Sequence, residues 1–552
     1  MTSTIKAFTF IIVSGLIISP QNQVFQTLEL RSPFEEAGGN FGRSVAGVGD
    51  VNMDGFDDIV VGADLEDAGG LNAAGRAYVF SGATGDTLYS LESPSAQVNG
   101  RFGGSAAGLG DVNSDGHSDF AIAAWNEDNG GVTGVGRVFV YSGQTGSILY
   151  VVESPVNHMG GSFGAKIANA GDVNNDGLAD LAVGALSQDL PGFDNAGKAY
   201  VFDGLNGAEI RTLESPNPEV NGAFGNWVDT AGDINNDGHA ELIVGAFFEE
   251  SDSSPFAAGM AYIFDGQSGS VLHELSSFNE TSDGFFGGYV ASAGDVNNDG
   301  VLDVLVGARG ENSSEAGSGR VYVFDGMSGD NLFSLESPSP EQDGLFGSVA
   351  GIGDVDGDGF DDFVVGAAGE AGGAGRVYVY SGMTRDTLFT FLSPNASENG
   401  FMGARVEVAG DVDGDGKADV VVSATREEPA GSPVDAGRAY VFCLLNPTVD
   451  GLFDEPADHG QGVNIKSVFP NPGLRGTTIE FETRVLSPVI VEIFDTLGRR
   501  TVRLMESTLP DGIHSVEWNG NDTGGMAVPS GTYIVRVSSG SFRHSRLLRV
   551  VH

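Results

Sequence analysis

The stretch GDVNMDGFDDIVVGA, residues 49–63, sets acids and an asparagine in a tight glycine turn and follows them at once with an apolar run. Crowding carboxylates in this way is costly unless something positive sits among them. The same pattern returns as DVNSDGHSD at Asp111, DVNNDGLAD at Asp172, DINNDGHAE at Asp233, DVNNDGVLD at Asp295, DVDGDGFDD at Asp354 and DVDGDGKAD at Asp411. The spacings are 61, 61, 61, 62, 59 and 57 residues, a period that marks a repeat architecture.

Each copy carries FG eight or nine residues before its first Asp, with Met402 replacing Phe in the last. After the turn come an apolar run such as IVVGA, a variable loop, a run such as GRAYVF, a short turn such as SGATGD, and TLYSLESP. The runs are short, rich in Val, Ile, Tyr and Phe, and bounded by Gly, Asp, Asn and Pro, which predicts four strands per repeat and no helix. Four antiparallel strands repeated seven times predict a seven-bladed β-propeller. TLELRSP, residues 27–33, matches TLYSLESP, whereas the last repeat stops at GRAYVFCLLNP. The amino-terminal strand is therefore expected to complete the final blade and remove an open edge.

Within the turn, positions 1, 3, 5 and 9 carry side-chain oxygens in all seven copies, position 6 is always Gly, and position 7 varies freely, as a residue lending only its carbonyl would. The candidate metal ligands are Asp50, Asn52, Asp54, Phe56 and Asp58; Asp111, Asn113, Asp115, His117 and Asp119; Asp172, Asn174, Asp176, Leu178 and Asp180; and Asp233, Asn235, Asp237, His239 and Glu241. The last three turns offer Asp295, Asn297, Asp299, Val301 and Asp303; Asp354, Asp356, Asp358, Phe360 and Asp362; and Asp411, Asp413, Asp415, Lys417 and Asp419. Hard oxygen donors around a sharp glycine turn suit Ca²⁺, up to seven ions. The turn is not an EF-hand, because position 12 is Val61 and strands flank it. A metal-free Asx-Gly hairpin is the competing reading for any single copy, and seven copies with four fixed oxygen positions weigh against it.

FG followed by GAGD-like segments and DxNxDGxxD resembles the FG-GAP repeat of integrin alpha-chain propellers, over residues 27 to about 446. The resemblance implies a calcium site in the hairpin between the first and second strands of a blade, on one face of the ring. It implies that ligands dock on the other face, on loops joining strands two to three and blade to blade. Integrins usually fill only some blades with calcium, and their inserted helical domain and leg domains have no counterpart in this sequence. On the loop face, Trp125, Phe247 and Phe248 beside Glu127, Asp128, Glu249 and Glu250 are candidates to stack on a sugar or grip a basic partner.

Residues 1–465 hold 68 of the 76 acids and 17 of the 27 Lys and Arg, whereas residues 466–552 hold 8 acids and 10 basics. This break predicts two units, a propeller at residues 25–446 and a β-sandwich at 466–552, joined by a linker at 447–465. The acidity excludes nucleic acid or an anionic membrane as partners of the propeller surface. Cys443 is the only cysteine, so no intramolecular disulfide forms. MTSTIKAFTFIIVSGLIIS has one Lys and then an apolar run too short to span a bilayer, which reads as a signal peptide over residues 1–24 and leaves no transmembrane span in the mature chain.

Residues 466–552 alternate as a small immunoglobulin-like antiparallel β-sandwich. Pro470, Asn471 and Pro472 at the start, FDTLGRR, WNGNDTGG and SGTYIVRV within, and a basic last strand resemble the C-terminal sorting domain of type IX secretion cargo. That resemblance implies engagement of the secretion machinery and export to the medium or outer cell surface; the ending RLLRVVH departs from commoner tails in carrying Arg instead of Lys.

No HExxH, Walker loop or Cys-His pair is present, and GGSFG at residues 160–164 is a chance match because Ser162 merely precedes a repeat's FG. The leading expectation is a secreted, calcium-binding adhesion or recognition module, not an enzyme, with an extracellular protein or glycan as ligand. The alternative is an extracellular polysaccharide lyase or hydrolase on the same scaffold, which a convergent acid, base and Arg cluster on one rim would favour. Acids occur in every second-to-third-strand loop and are spread evenly, which favours a surface.

Overall fold

The computed structural model describes residues 15–18, 24–250, 255–428, 433–444, 463–469, 477–483, 487–495, 499–529, 531–539 and 542–550. Seven consecutive sheets carry the seven repeats, and no helix occurs among the described residues. Blade 1 is typical: Phe41–Gly49, Asp58–Ala63, Arg76–Phe80 and Thr87–Leu91 pair in chain order, all antiparallel. The second strand of every blade is buried along its whole length. Both of its faces are covered by neighbouring blades, so the sequence there is a continuous apolar run without alternation.

The cores lie between blades. Val48, Val60 and Val79 of blade 1 pack with Phe102, Phe120 and Tyr141 of blade 2 in one cluster. Close approach of backbones sets the glycine before each third strand: at Gly75, φ is +88° and a Cβ would meet the Phe102 carbonyl oxygen at 2.1 Å.

The ring closes as the sequence predicts. Val24–Leu30 pairs with Arg438–Leu444 of the last blade, Leu28 opposite Val441. Leu28 and Leu30 join a core shared by blades 7 and 1, and the buried Arg438 spans the seam to Glu29 at 3.1 Å and Glu35 at 2.7 Å. Gly15–Ile18, inside the segment read as a leader, pairs along the outer edge of Val24–Leu30.

The carboxy-terminal part is a two-sheet sandwich. Val463–Phe469, Thr477–Thr483 and Gly512–Trp518 form one sheet; Arg500–Leu509, Ser487–Asp495, Gly531–Ser539 and Phe542–Val550 form the other. Its first strand begins at Val463, three residues inside the expected linker, because Ile465 belongs to the core with Phe481, Val491, Trp518 and Val535. Pro470, Asn471 and Pro472 lie outside the described residues. Among the described residues no helix is long and apolar enough to cross a membrane.

Candidate metal turns and the opposite mouth of the ring

The first strand of each blade runs from FG to the acidic turn, and the third-to-fourth-strand hairpin returns to the same end. One face of the ring therefore carries all seven acidic turns, and the other carries the second-to-third-strand and interblade loops. In blade 1 the Asp50 carboxylate accepts bonds from the Asp54 and Gly55 amides at 3.1 and 2.8 Å, and Asp54 accepts one from the Phe56 amide. Asp58 accepts from Val51 at 3.0 Å and from Gly82, in the neighbouring hairpin, at 3.0 Å. Glu241, with one more methylene, accepts the equivalent bond from Ile234 at 2.8 Å.

Backbone conformation explains two positions. Gly55 has φ +86° and its counterparts lie close to that, a region open to glycine. Position 4 is also left-handed, at Met53, Ser114, Asn175, Asn236 and Asn298 with φ of 56° to 60° and at Gly357 and Gly414. Its Asn and Gly content therefore answers to the backbone and is not free surface variation.

Position 9 is fully buried in every blade. Burial pushes the carboxyls of Asp58, Glu241, Asp303 and Asp362 up to about 7 and those of Asp119 and Asp180 up to about 6, against the pull of the amide bonds they accept. Asp419 is raised as well, first by burial and then by Asp413. Donor atoms converge within 4.8 Å in Asp354, Asp356 and Asp362, in Asp411, Asp413 and Asp415, and in Asp237, Glu241 and Asp265.

Position 3 provides the test of fit. The amide groups of Asn113, Asn174 and Asn297 donate to Asp119, Asp180 and Asp303 at 3.2 to 3.4 Å. Their Oδ1 atoms are buried with no donor. A buried carbonyl oxygen without a donor, beside two or three carboxylates, suits a cation.

Two participants escaped the sequence reading. The residue at the end of the third strand enters the turn: Asp265, just after Met260–Phe264, joins the blade 4 cluster, and Cys443, within Arg438–Leu444, lies within the same 4.8 Å of Asp413 and Asp419. The only sequence signal was that this slot is Ser or Asp in six blades and Cys in the seventh. Position 7 also does more than lend a carbonyl, since His117 and His239 each reach a backbone carbonyl of the preceding turn at 2.7 Å, and Lys417 reaches Asp354 at 2.8 Å.

In every blade but the third, one acid of the second-to-third-strand loop is withdrawn from the surface. Glu66, Glu127, Glu249, Glu311, Glu370 and Glu427 are buried, as is Gln188 in blade 3. In blade 4, Glu249 accepts bonds from Tyr262 of its own blade at 2.6 Å and from Ser215, at the end of the preceding blade, at 2.9 Å. Each such group staples one blade to the last, so Glu127 and Glu249 cannot grip a partner. Burial raises Glu249 to about 8, with Glu219 and Glu274 adding to the shift. Met260 stands where other blades place Arg or Lys, for example Arg376, 3.2 Å from Glu370.

On the loop face the ring opens into a mouth of about 340 Å³ whose lining includes Trp125, Phe247, Trp227, Tyr289, Arg43, Arg309 and Arg405. Phe248 is more exposed and lies tilted against Phe247 at 3.9 Å between ring centroids. Trp227 closes the waist between Lys166 and Arg405, at 4.3 and 5.0 Å from its ring. Lys166 pairs with Glu407 at 3.0 Å, and a chamber of about 300 Å³ follows that contains Asp229. Burial pushes the Tyr289 phenol up, but Arg405, Arg309 and Arg43 outweigh it and hold the group below its ordinary value.

A model of the FG-GAP repeat matches residues 41–80, 163–202, 287–324 and 403–442, and one of the FG-GAP-like repeat matches 354–422. Integrin alpha-IIb of Mus musculus is 38% identical over 162 residues, 27% of this chain and 15% of that protein. Integrin alpha-5 of Xenopus laevis is 34% identical over 218 residues, 38% of this chain and 20% of that protein. The chain thus spans a fifth or less of the length of these relatives. Among solved structures, BBS1N in complex with ARL6DN aligns over 75% of this chain and 97% of its own at 12% identity and a TM-score of 0.44. The matched repeats fall on blades 1, 3, 5, 6 and 7 of the seven repeated sheets, so the fold is a β-propeller in which at least these blades are similar to FG-GAP repeats.

Proposed function

We propose that this protein is an extracellular recognition or adhesion propeller that calcium holds together, delivered by a leader over residues 1–24 and a sorting function in residues 466–552. The observation that carries the calcium reading is the set of donorless, buried Oδ1 atoms at Asn113, Asn174 and Asn297, each beside carboxylates that burial keeps from ionising freely. A bound divalent ion would supply the missing positive charge and release protons from position 9. Residues at positions 1, 3, 5 and 9, with the carbonyl of position 7, would hold it. The loop face is left for ligands because its loops sit on a rigid frame and differ from blade to blade.

Calcium titration by calorimetry tests the first part: several sites per chain with proton release is the expected result, and no heat in any buffer would defeat it. A screen of glycans and matrix proteins with and without calcium tests the second. The export reading is checked by a chain ending at residue 462, which should stay in the periplasm of a host with this secretion route; efficient release of that chain would refute it.

A second reading, a polysaccharide lyase on this scaffold, has one observation in its favour: the Tyr289 phenol among Arg43, Arg309 and Arg405. The described lining of the mouth offers no carboxylate or histidine as a further acid or base. Appearance of unsaturated uronate from an acidic polysaccharide would establish this reading over the first.

A further inference from the structure

The mouth of the ring collects positive charge that the protein does not neutralise. Arg405 donates to the Tyr289 hydroxyl at 2.5 Å, and Arg309 lies 3.5 Å from the same oxygen. Arg43 has Asp64 at 3.8 Å, whereas among the described residues no carboxylate lies within 4.0 Å of Arg309 or Arg405. Several other half-buried cations are paired with a carboxylate: Lys166 with Glu407 at 3.0 Å, Arg376 with Glu370 at 3.2 Å, Arg137 with Glu127 at 3.7 Å. A chain of net charge −49 has acids to spare for such pairing, yet the described lining of this mouth holds none. Guanidinium groups held among rings without a counter-ion cost free energy that an incoming anion would recover. The Trp125 indole N–H in the same wall is also buried without an acceptor.

We propose that the mouth binds the carboxylate of an acidic sugar, a uronate unit of an extracellular polysaccharide, with Arg309 and Arg405 taking the carboxylate and Trp125 or Phe247 backing the pyranose ring. The assignment rests on the loop face being a recognition surface and adds the class of ligand. Guanidinium forks match carboxylates in pairs of bonds, which a neutral sugar cannot use. Flat aromatic walls suit the C–H face of a sugar ring more than the thin stem of an Asp or Glu side chain. The carboxylate stops at the arginine layer, because beyond the waist lie Asp229 and the Lys166–Glu407 pair, which offer it no free cation.

The test is calorimetric titration of the full chain, in millimolar calcium, with β-1,4-linked tetraglucuronate, with cellotetraose as the same backbone lacking carboxylates, and with tetraglutamate. Tetraglucuronate alone should bind, more weakly as salt rises. Arg309→Gln should weaken it about tenfold or more, the loss of one charge-assisted contact, while Arg309→Lys keeps part of the affinity. Arg405→Gln should act in the same direction; since Arg405 also packs on Trp227, Arg309 is the deciding variant if the Arg405→Gln melt falls. Equal binding of cellotetraose, a preference for tetraglutamate, or full affinity in a folded Arg309→Gln protein would each overturn the assignment. If tetraglucuronate fails while another glycan or matrix protein binds the loop face, this assignment falls and the recognition reading stands. If no ligand binds, both fall.

Discussion

On the hairpin face each blade presents the same acidic turn, so position 9 is Asp or Glu seven times and accepts the same amide bonds each time. Toward the mouth of the loop face the blades diverge: the equivalent inner-strand positions hold Ser in three blades (Ser44, Ser105 and Ser348) but Lys166, Trp227, Tyr289 and Arg405 in the other four. The first pattern is what a ring needs when every blade must be held by the same kind of cation. The second is what a single asymmetric ligand needs, because seven-fold identity would offer seven equal sites. Conservation among repeats within one chain thus separates what holds the ring from what the ring holds.

The strongest way to break this comparison is to withhold the calcium proposed for the turns. At affinities of about 0.1 to 1 mM, millimolar calcium contributes roughly 0.4 to 1.4 kcal/mol per site, about 3 to 10 kcal/mol if seven sites fill. The gap in melting temperature between calcium and chelator should also widen with pH. In the metal-free protein burial raises Asp58, Asp119, Asp180, Asp303 and Asp362 from 3.8 to about 6 to 7, with Glu241 and Asp419 raised as well, so their stabilising contribution is complete below about pH 4 and is lost as pH rises to 7, whereas calcium would bind their ionised form. Melts at pH 5 and pH 8 decide it, and a gap that shrinks with pH contradicts the assignment of these acids to the metal.

Next in size is the seam. Deleting residues 24–31 strips Leu28 and Leu30 from a shared core and leaves Arg438 without Glu29. The cost should be about 4 to 8 kcal/mol, with association through the freed edge. An unchanged melt and a monomer by light scattering would show that the ring does not depend on this strand.

The ring and its seam could be read from sequence because they rest on local requirements: glycine where φ is positive, acids at fixed offsets, apolar runs where both faces are covered. The buried glutamates were misread as surface because loop acids usually face water. Their signal was register, since Glu66 and Glu249 each stand three residues after the Ala that ends the second strand, opposite a Tyr of the third. The arginine mouth had no sequence signal at all. Arg43, Tyr289 and Arg405 are far apart in the chain, and only closure of the ring brings them together.

A smaller effect separates metal binding from turn geometry. Asn113→Leu removes the donorless Oδ1 and the amide bond to Asp119, so it should lower the melt in calcium by about the 0.4 to 1.4 kcal/mol of one site. In chelator the change should be smaller, because an unsatisfied buried oxygen is removed together with the bond. Equal losses in both media would assign Asn113 to the turn alone.

The smallest effect tests whether the staples on the loop face are structural. Among the described residues Glu249 has no cation within 4.0 Å; it keeps one oxygen buried without a donor and is raised to about 8 from 4.5. A raised acid contributes its full stability below about pH 4.5 and loses it as pH climbs through 8, where the buried carboxylate becomes charged. Blade 3 already shows the neutral solution: Gln188 accepts from Tyr200 and donates to Ser154 at 2.8 Å. Glu249→Gln should therefore leave the melt unchanged at pH 4 and raise stability by on the order of 1 kcal/mol at pH 9. It should not alter calcium binding, since the staple and the turns lie at opposite ends of the strand. A loss of stability at pH 9 would mean that the ionised carboxylate is wanted there, and that this part of the loop face belongs with the binding surface after all.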